Sequence, residues 1–337
     1  MSAGVFDVGS RAPQRVGLAA VVLWAHAMDA GAVWEMRHRA PFSVRHDTLI
    51  RLLPPSAWFL ILLNVVFLVC LWRFTQGRNT LTAGGVAVAC TALVAQWGTE
   101  LFGSPSRNLY IPSATFFGWL CGVAYLRDLA SRSGAAAATL RQEEVFGEAG
   151  ALGVFAALYV SSASSKLLAA GGAWVHPDTL RFLILSQKGL FQGGWIDAYR
   201  GVIIEHPAAA TALSALTLLI EGGAFLLLAG PRWRRLWCGL IFLLHLNIIV
   251  LCTMPYLESM ALAVVFGVAW RARTPPSTDD ALASPHPWTP SWRTALIVAL
   301  VLVATWTLPV GWRPTHGDTD RAPDAPARAG GPAPRAR

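Results

Sequence analysis

From Pro55 to Trp72 the chain reads PSAWFLILLNVVFLVCLW, without one charged residue. A run of that length spans most of a hydrocarbon core about 30 Å thick, which takes roughly 20 helical residues to cross. In lipid every backbone amide must find its partner inside the protein, so such a run forms a helix. Similar runs recur along the chain. They lie at about Val16–Trp34, Leu81–Trp97, Leu109–Leu126, Gly147–Leu168, Ala208–Ala229, Leu236–Met254, Tyr256–Trp270 and Arg293–Val310. The sequence therefore predicts an all-α, polytopic integral membrane bundle of about eight to nine transmembrane helices. Composition agrees: 54% of the 337 residues are hydrophobic and only 14% charged, too few charges to cover a soluble surface.

Tryptophans at span ends (Trp34, Trp58, Trp72, Trp97, Trp270) suit an interfacial aromatic belt. The formal net charge is +8, but most arginines stand just outside apolar runs, where they set topology and meet anionic headgroups. No basic, aromatic-interleaved patch points to nucleic acid. Arg11 and Arg15, Arg73 and Arg78, Arg127, Arg132 and Arg141, Arg232, Arg234 and Arg235, and Arg271 and Arg273 share one side if the N-terminus is inside. Arg37, Arg39, Arg45 and Arg51 oppose this arrangement. The balance predicts N-inside, in a bacterial-type cytoplasmic membrane. The first run, with Ala25-His26-Ala27, imitates a signal peptide, but its apolar character continues to Trp34, so it reads as a retained span.

The organisation follows: an N-terminal segment over 1–15, a bundle over 16–270, a linker over 271–292, a last span over 293–311 and a Pro-, Ala-, Gly- and Arg-rich tail over 312–337 that reads as disordered. The longest connection, 169–207, holds Pro177–Leu190, whose apolar residues recur at helical spacing and predict an interfacial helix. Cys70, Cys90, Cys121, Cys238 and Cys252 have no CxxC spacing and read as small buried residues. His38, His46, His176, His206, His286 and His316 fall in loops or tails, and no metal motif emerges. The glycine pairs Gly171-Gly172, Gly193-Gly194 and Gly222-Gly223 are the candidate helix breaks that a transporter would need.

Chemistry is expected where charge enters an apolar run. In YVSSASSKLLAAGGAW, Tyr159, Ser162 and Lys166 share a helix face at i, i+3 and i+7. Ala157, Ser161 and Ser165 form a small-residue stripe, which predicts close packing of that face inside the bundle. Two roles are open to Lys166: to snorkel to the interface, or to face inward as part of a site. Glu221 and His245 lie about a dozen residues either side of the turn around Arg232, hence at similar depth, with Asn247 nearby. They are expected to pair, as a site or as a staple between helices. His26 and Asp29 repeat the pattern at i, i+3. Counting along the helices puts Lys166 about 9 Å further out than His245.

The segment from Tyr159 through Trp174 resembles the Tyr, Lys-Leu, Trp and Gly pattern of the vitamin K-dependent gamma-carboxylase-like superfamily, the horizontally transferred transmembrane (HTTM) domain. The run EGGAFLLLAGPRWRRLWCGLIFLLHLNIIVLCTMPYLESMAL from Glu221 resembles that family's later block. Together they cover about 148–270. The resemblance implies a membrane scaffold with a lipid or quinone cavity, and a reduced isoprenoid quinone as the cofactor to expect. It makes Lys166 the base or anchor, with Glu221 and His245 as relay or carbonyl donor and Tyr159, Ser162, Asn247 and Trp174 lining the cavity. It does not carry gamma-glutamyl carboxylation: Ser165 replaces the family's second lysine, 81–126 hold no histidine, and no propeptide-holding domain follows. A non-enzymatic lipid-binding or accessory subunit is the other reading, and a small transporter a third. Membrane lipids and a small hydrophobic ligand are the expected partners.

Overall fold

The computed structural model describes residues 13–38, 55–102, 107–133, 140–186, 193–252 and 256–268. The chain divides into two units, Met1–Thr289 and Pro290–Arg337. The second lies outside the described residues, as do the expected span 293–310, the linker, the tail and the turn around Pro255.

The described residues form an all-helical bundle. Its elements are α1 (Pro13–Met36), α2 (Ala57–Thr75), α3 (Thr80–Phe102), α4 (Arg107–Ser133), α5 (Leu140–Ala170), α6 (Pro177–Ser186), α7 (Trp195–Glu205), α8 (Pro207–Gly222), α9 (Pro231–Cys252) and α10 (Leu257–Gly267). Short 3-10 segments, Gly171–Val175 and Gly223–Leu228, continue α5 and α8. Seven helices are long and apolar enough to cross a membrane: α1 to α5, α8 with its 3-10 extension, and α9. α10 is shorter. This is an integral membrane bundle whose outward apolar side chains meet lipid. α1 runs unbroken through Ala25-His26-Ala27, with Ala25 and His26 buried.

Several helices begin or end beyond the apolar runs because ion pairs draw polar ends into the fold. Arg15, only 1% exposed, lies 2.7 Å from Glu144 and donates to the Thr75 carbonyl at the end of α2. Arg127 lies 2.6 Å from Glu143, which also accepts from Thr80 at 2.8 Å. Arg234 pairs with Glu148. These contacts gather the ends of α1, α2, α3, α4, α5 and α9 at one end of the bundle. There α2 turns into α3 through Gly77 (φ 70°) and Asn79 (φ 50°), left-handed positions that Gly and Asn tolerate.

Fully buried Phe67, Phe74, Phe116, Trp119, Phe155 and Phe266 form the core, and Phe74 meets Phe116 edge-on at 4.6 Å. α4 and α5 approach most closely. A Cβ on Gly122 would stand 1.9 Å from the Phe146 carbonyl oxygen, and one on Gly150 2.2 Å from that of Gly118. Glycine thus lets two backbones touch, the small-residue packing used in lipid. The expected stripe Ala157, Ser161 and Ser165 is a correction: all three are exposed, and α5 instead buries Leu152, Phe155, Tyr159 and Ala163. Aromatic and aliphatic bulk took the core, leaving the small face outward.

At the opposite end, α6 occupies the expected interfacial segment, ending at Ser186, and α7 joins it. Ile184, Ile203, Ala210, Leu251 and Cys252 form a second small core beneath them. Arg200 of α7 donates to the Val250 carbonyl through Nε (3.0 Å) and Nη2 (2.7 Å), satisfying a backbone group at the end of α9. Arg200→Ala should therefore loosen the cap by about 1.5–3 kcal/mol, the worth of charged hydrogen bonds. Hydrogen exchange in nanodiscs checks this: α7 amides should exchange faster while α4 and α5 keep their protection. Unchanged α7 exchange would refute the clamp.

Candidate functional site

α5 carries the site because its buried face is interrupted by polar residues one to two turns apart. Tyr159, 5% exposed, lies deepest, with Ser162 and then Lys166 further along the same face. The Lys166 Nζ stands 2.5 and 2.6 Å from the two carboxylate oxygens of Glu221, at the end of α8. Ser162 donates to the same carboxylate at 3.3 Å. The Trp174 ring, in the 3-10 segment after α5, lies 4.9 Å from the ammonium, a cation–π contact. Lys166 thus turns inward rather than snorkelling.

Depth counted on Cα atoms separates Lys166 from the middle of the bundle, yet the pair closes. α5 and α8 run in opposite directions, and helical side chains lean toward their own N-terminus. Lys166 therefore leans back along α5 while Glu221 leans the opposite way to meet it. α8 ends here, passing into the 3-10 segment at Gly223, and Trp237 packs on that glycine and donates to the Ile220 carbonyl at 2.9 Å. Of the three glycine pairs, Gly222-Gly223 breaks a spanning helix beside a charged residue.

The second pair is Tyr159 and His245, with the phenol oxygen 2.6 Å from Nε2. The register explains it. Glu148–Arg234 and Tyr159–His245 are each 86 residues apart, so the second contact lies eleven residues, three turns, along both α5 and α9. The two helices present the same faces to each other at both levels. Phe155 meets Tyr159 edge-on at 5.2 Å, and the Tyr256 ring lies 5.1 Å from His245. His245 is buried and its Nδ1 has no hydrogen-bond partner.

The expected Glu221–His245 pair is thus replaced by two others, Lys166–Glu221 and Tyr159–His245. They stack along α5 about two turns apart, roughly 10 Å. Asn247 faces the cap, accepting from Tyr199 at 2.9 Å. Burial raises the Tyr199 phenol above its usual range. His26 and Asp29 do not form the expected pair. His26 meets Asn64 of α2 at 3.1 Å and stacks on Phe67 at 3.7 Å. Asp29, half-buried, lies within charge range of Glu258 on α10.

Sequence reasoning missed Tyr199, Tyr256, Ser259 and Glu258. The signal for Glu258 was available: it is a carboxylate in an apolar run, the criterion that singled out Glu221. Among the described residues no group of three or more His, Cys, Asp or Glu is arranged to hold a metal ion. In comparison with known proteins, no family model matches the chain, and neither does any curated protein or solved structure.

Proposed function

We propose that this chain is a membrane-embedded acid–base enzyme of the HTTM, gamma-carboxylase-like kind that works on, or with, a reduced isoprenoid quinone. One observation carries the reading: two titratable pairs stack on one face of α5 inside an apolar bundle, and His245 Nδ1 remains without a partner. Ionisable groups held inside a membrane bundle mark functional sites by default. The residues fit such a group, since an unpartnered imidazole nitrogen, an ammonium and the Trp174 ring suit a hydroxylated aromatic head. When bound, a reduced quinone supplies acidic hydroxyls and reducing equivalents. Tyr159 and His245 exchange a proton at Nε2, and Lys166 stabilises negative charge at a ligand oxygen. With both carboxylate oxygens of Glu221 engaged, Lys166 acts as an electrostatic anchor rather than the base. Gamma-glutamyl carboxylation lies outside the proposal, because Ser165 stands where the family's second lysine would be. The clustering of Arg73, Arg78, Arg127, Arg132, Arg232, Arg234 and Arg235 toward the Arg15 end supports N-inside.

A second reading rests on the closure of Lys166 onto Glu221: both pairs are staples in a non-enzymatic, lipid-binding subunit. Titration of ubiquinol and menaquinol analogues into the protein in nanodiscs separates the two. The enzyme reading expects saturable binding that Lys166→Gln and Tyr159→Phe each weaken at least tenfold, about 1.4 kcal/mol. Folded variants that bind as the wild type does would refute it.

A further inference from the structure

Glu258 is the polar group the site leaves unused. It stands in the first turn of α10, fully buried, and neither carboxyl oxygen makes a well-formed hydrogen bond, its own backbone amide being the donor within reach. Ser259 beside it is equally buried, and its hydroxyl has Tyr159 within reach but makes no well-formed hydrogen bond. Buried polar groups in folded proteins are nearly always hydrogen-bonded, so poorly bonded atoms at one place require a role.

Every helix against α10 contributes to the surroundings. α1 brings Asp29, and α9 brings His245, with Tyr256 at the head of α10 beside it. α4 also packs against α10. From α5, Tyr159 lies beside Ser259 and within charge range of both Glu258 and Glu221. Among the described residues, the charged side chain acting on Glu258 is Asp29, which has the same sign. An ionised carboxylate here would lose its hydration, meet a like charge and gain no cation. The free amides of the first turn of α10 return only a small part of that cost. The neutral acid is the form this place accepts.

We propose that Glu258 is an internal proton-binding site, and that its proton passes between Asp29 and the Tyr159–His245 pair. In the forward step the Glu258 O–H bond breaks and its proton moves by way of Ser259 to the Tyr159 oxygen. The phenol's own proton goes to His245 Nε2, leaving a Glu258 carboxylate and an imidazolium; the half-exposed Asp29 carboxylate then takes up a proton from water and passes it to Glu258, so that each cycle moves one water proton onto the imidazole. Tyr159, within charge range of both carboxyl groups, is the junction between this branch and the Lys166–Glu221 pair. Delivery to His245 rests on the acid–base reading above; the proton on Glu258 does not.

Infrared spectroscopy of the full chain in nanodiscs tests both parts. At neutral pH the wild type should show the carbonyl band of a protonated carboxyl, shifting in D2O. Glu258→Gln should lose that band while Glu221→Gln keeps it. Asp29→Asn and Tyr159→Phe should each slow the deuterium shift severalfold. If Glu258→Gln fails to fold, Glu258→Asp should move the band in frequency. Identical carboxyl bands in wild type and these Glu258 variants would overturn the proposal. So would loss of the wild-type band on adding sodium or potassium, which would make the occupant a cation. Failure of quinol binding with the Glu258 band intact would sink the enzyme reading alone.

Discussion

Lys166→Met should lower the stability of the bundle by about 3 kcal/mol, because it strands Glu221 as a buried carboxylate without its cation. Glu221 has only 8% of its side chain exposed, and Ser162 is the single donor left to it. Adding Glu221→Gln to Lys166→Met should recover most of the loss, since a buried pair replaced together is close to neutral. The coupling from this double-mutant cycle, read by thermal unfolding in mild detergent, should exceed about 1 kcal/mol. The same cycle between Lys166 and His245, which share no hydrogen bond, should be additive within about 0.5 kcal/mol. A double variant no more stable than Lys166→Met alone would mean that the ion pair does not form.

The other large effect is expected at the α4–α5 crossing. Gly122→Ala and Gly150→Ala each place a Cβ within about 2 Å of a backbone carbonyl on the facing helix. No rotamer relieves a clash with backbone, so the helices must separate and lose packing along the whole interface. Overpacking costs typically 1–3 kcal/mol and can cost more; the upper end is expected here. Gly85→Ala, Gly153→Ala and Gly239→Ala are the controls, because nothing lies within 4 Å of a Cβ at those positions. They should melt with the wild type. Equal melting temperatures across all five variants would contradict the close crossing.

Much of the fold was legible because hydropathy reports length and burial directly. Each expected span within the described residues coincides with a helix. The errors lie at ends where charge enters the fold. α5 starts at Leu140, ahead of Gly147, since Glu143, Glu144 and Glu148 are all held by arginines. α9 starts at Pro231, ahead of Leu236, with Arg234 as one of those partners. The residues of the two pairs were visible as polar side chains in apolar runs. Their partners were not, because counting residues gives the height of a Cα and neither its azimuth nor the lean of its side chain. The same gap turned Ala157, Ser161 and Ser165 outward: periodicity divides a helix into faces without saying which one Phe155 and Tyr159 will bury. Glu258 was passed over because the run from Tyr256 reads as a short span, although a carboxylate there is as costly as Glu221.

Nitrogen-15 NMR of the His245 side chain in nanodiscs decides whether His245 offers an open nitrogen to a ligand beside the Tyr159 hydroxyl. The resonances are assigned by their loss in His245→Gln. Nε2 should report a strong hydrogen bond that Tyr159→Phe removes, and Nδ1 an unbonded nitrogen that shifts when a menaquinol or ubiquinol analogue is added. A His245 spectrum unchanged by saturating quinol, in protein that remains folded, would rule out a quinol site at His245.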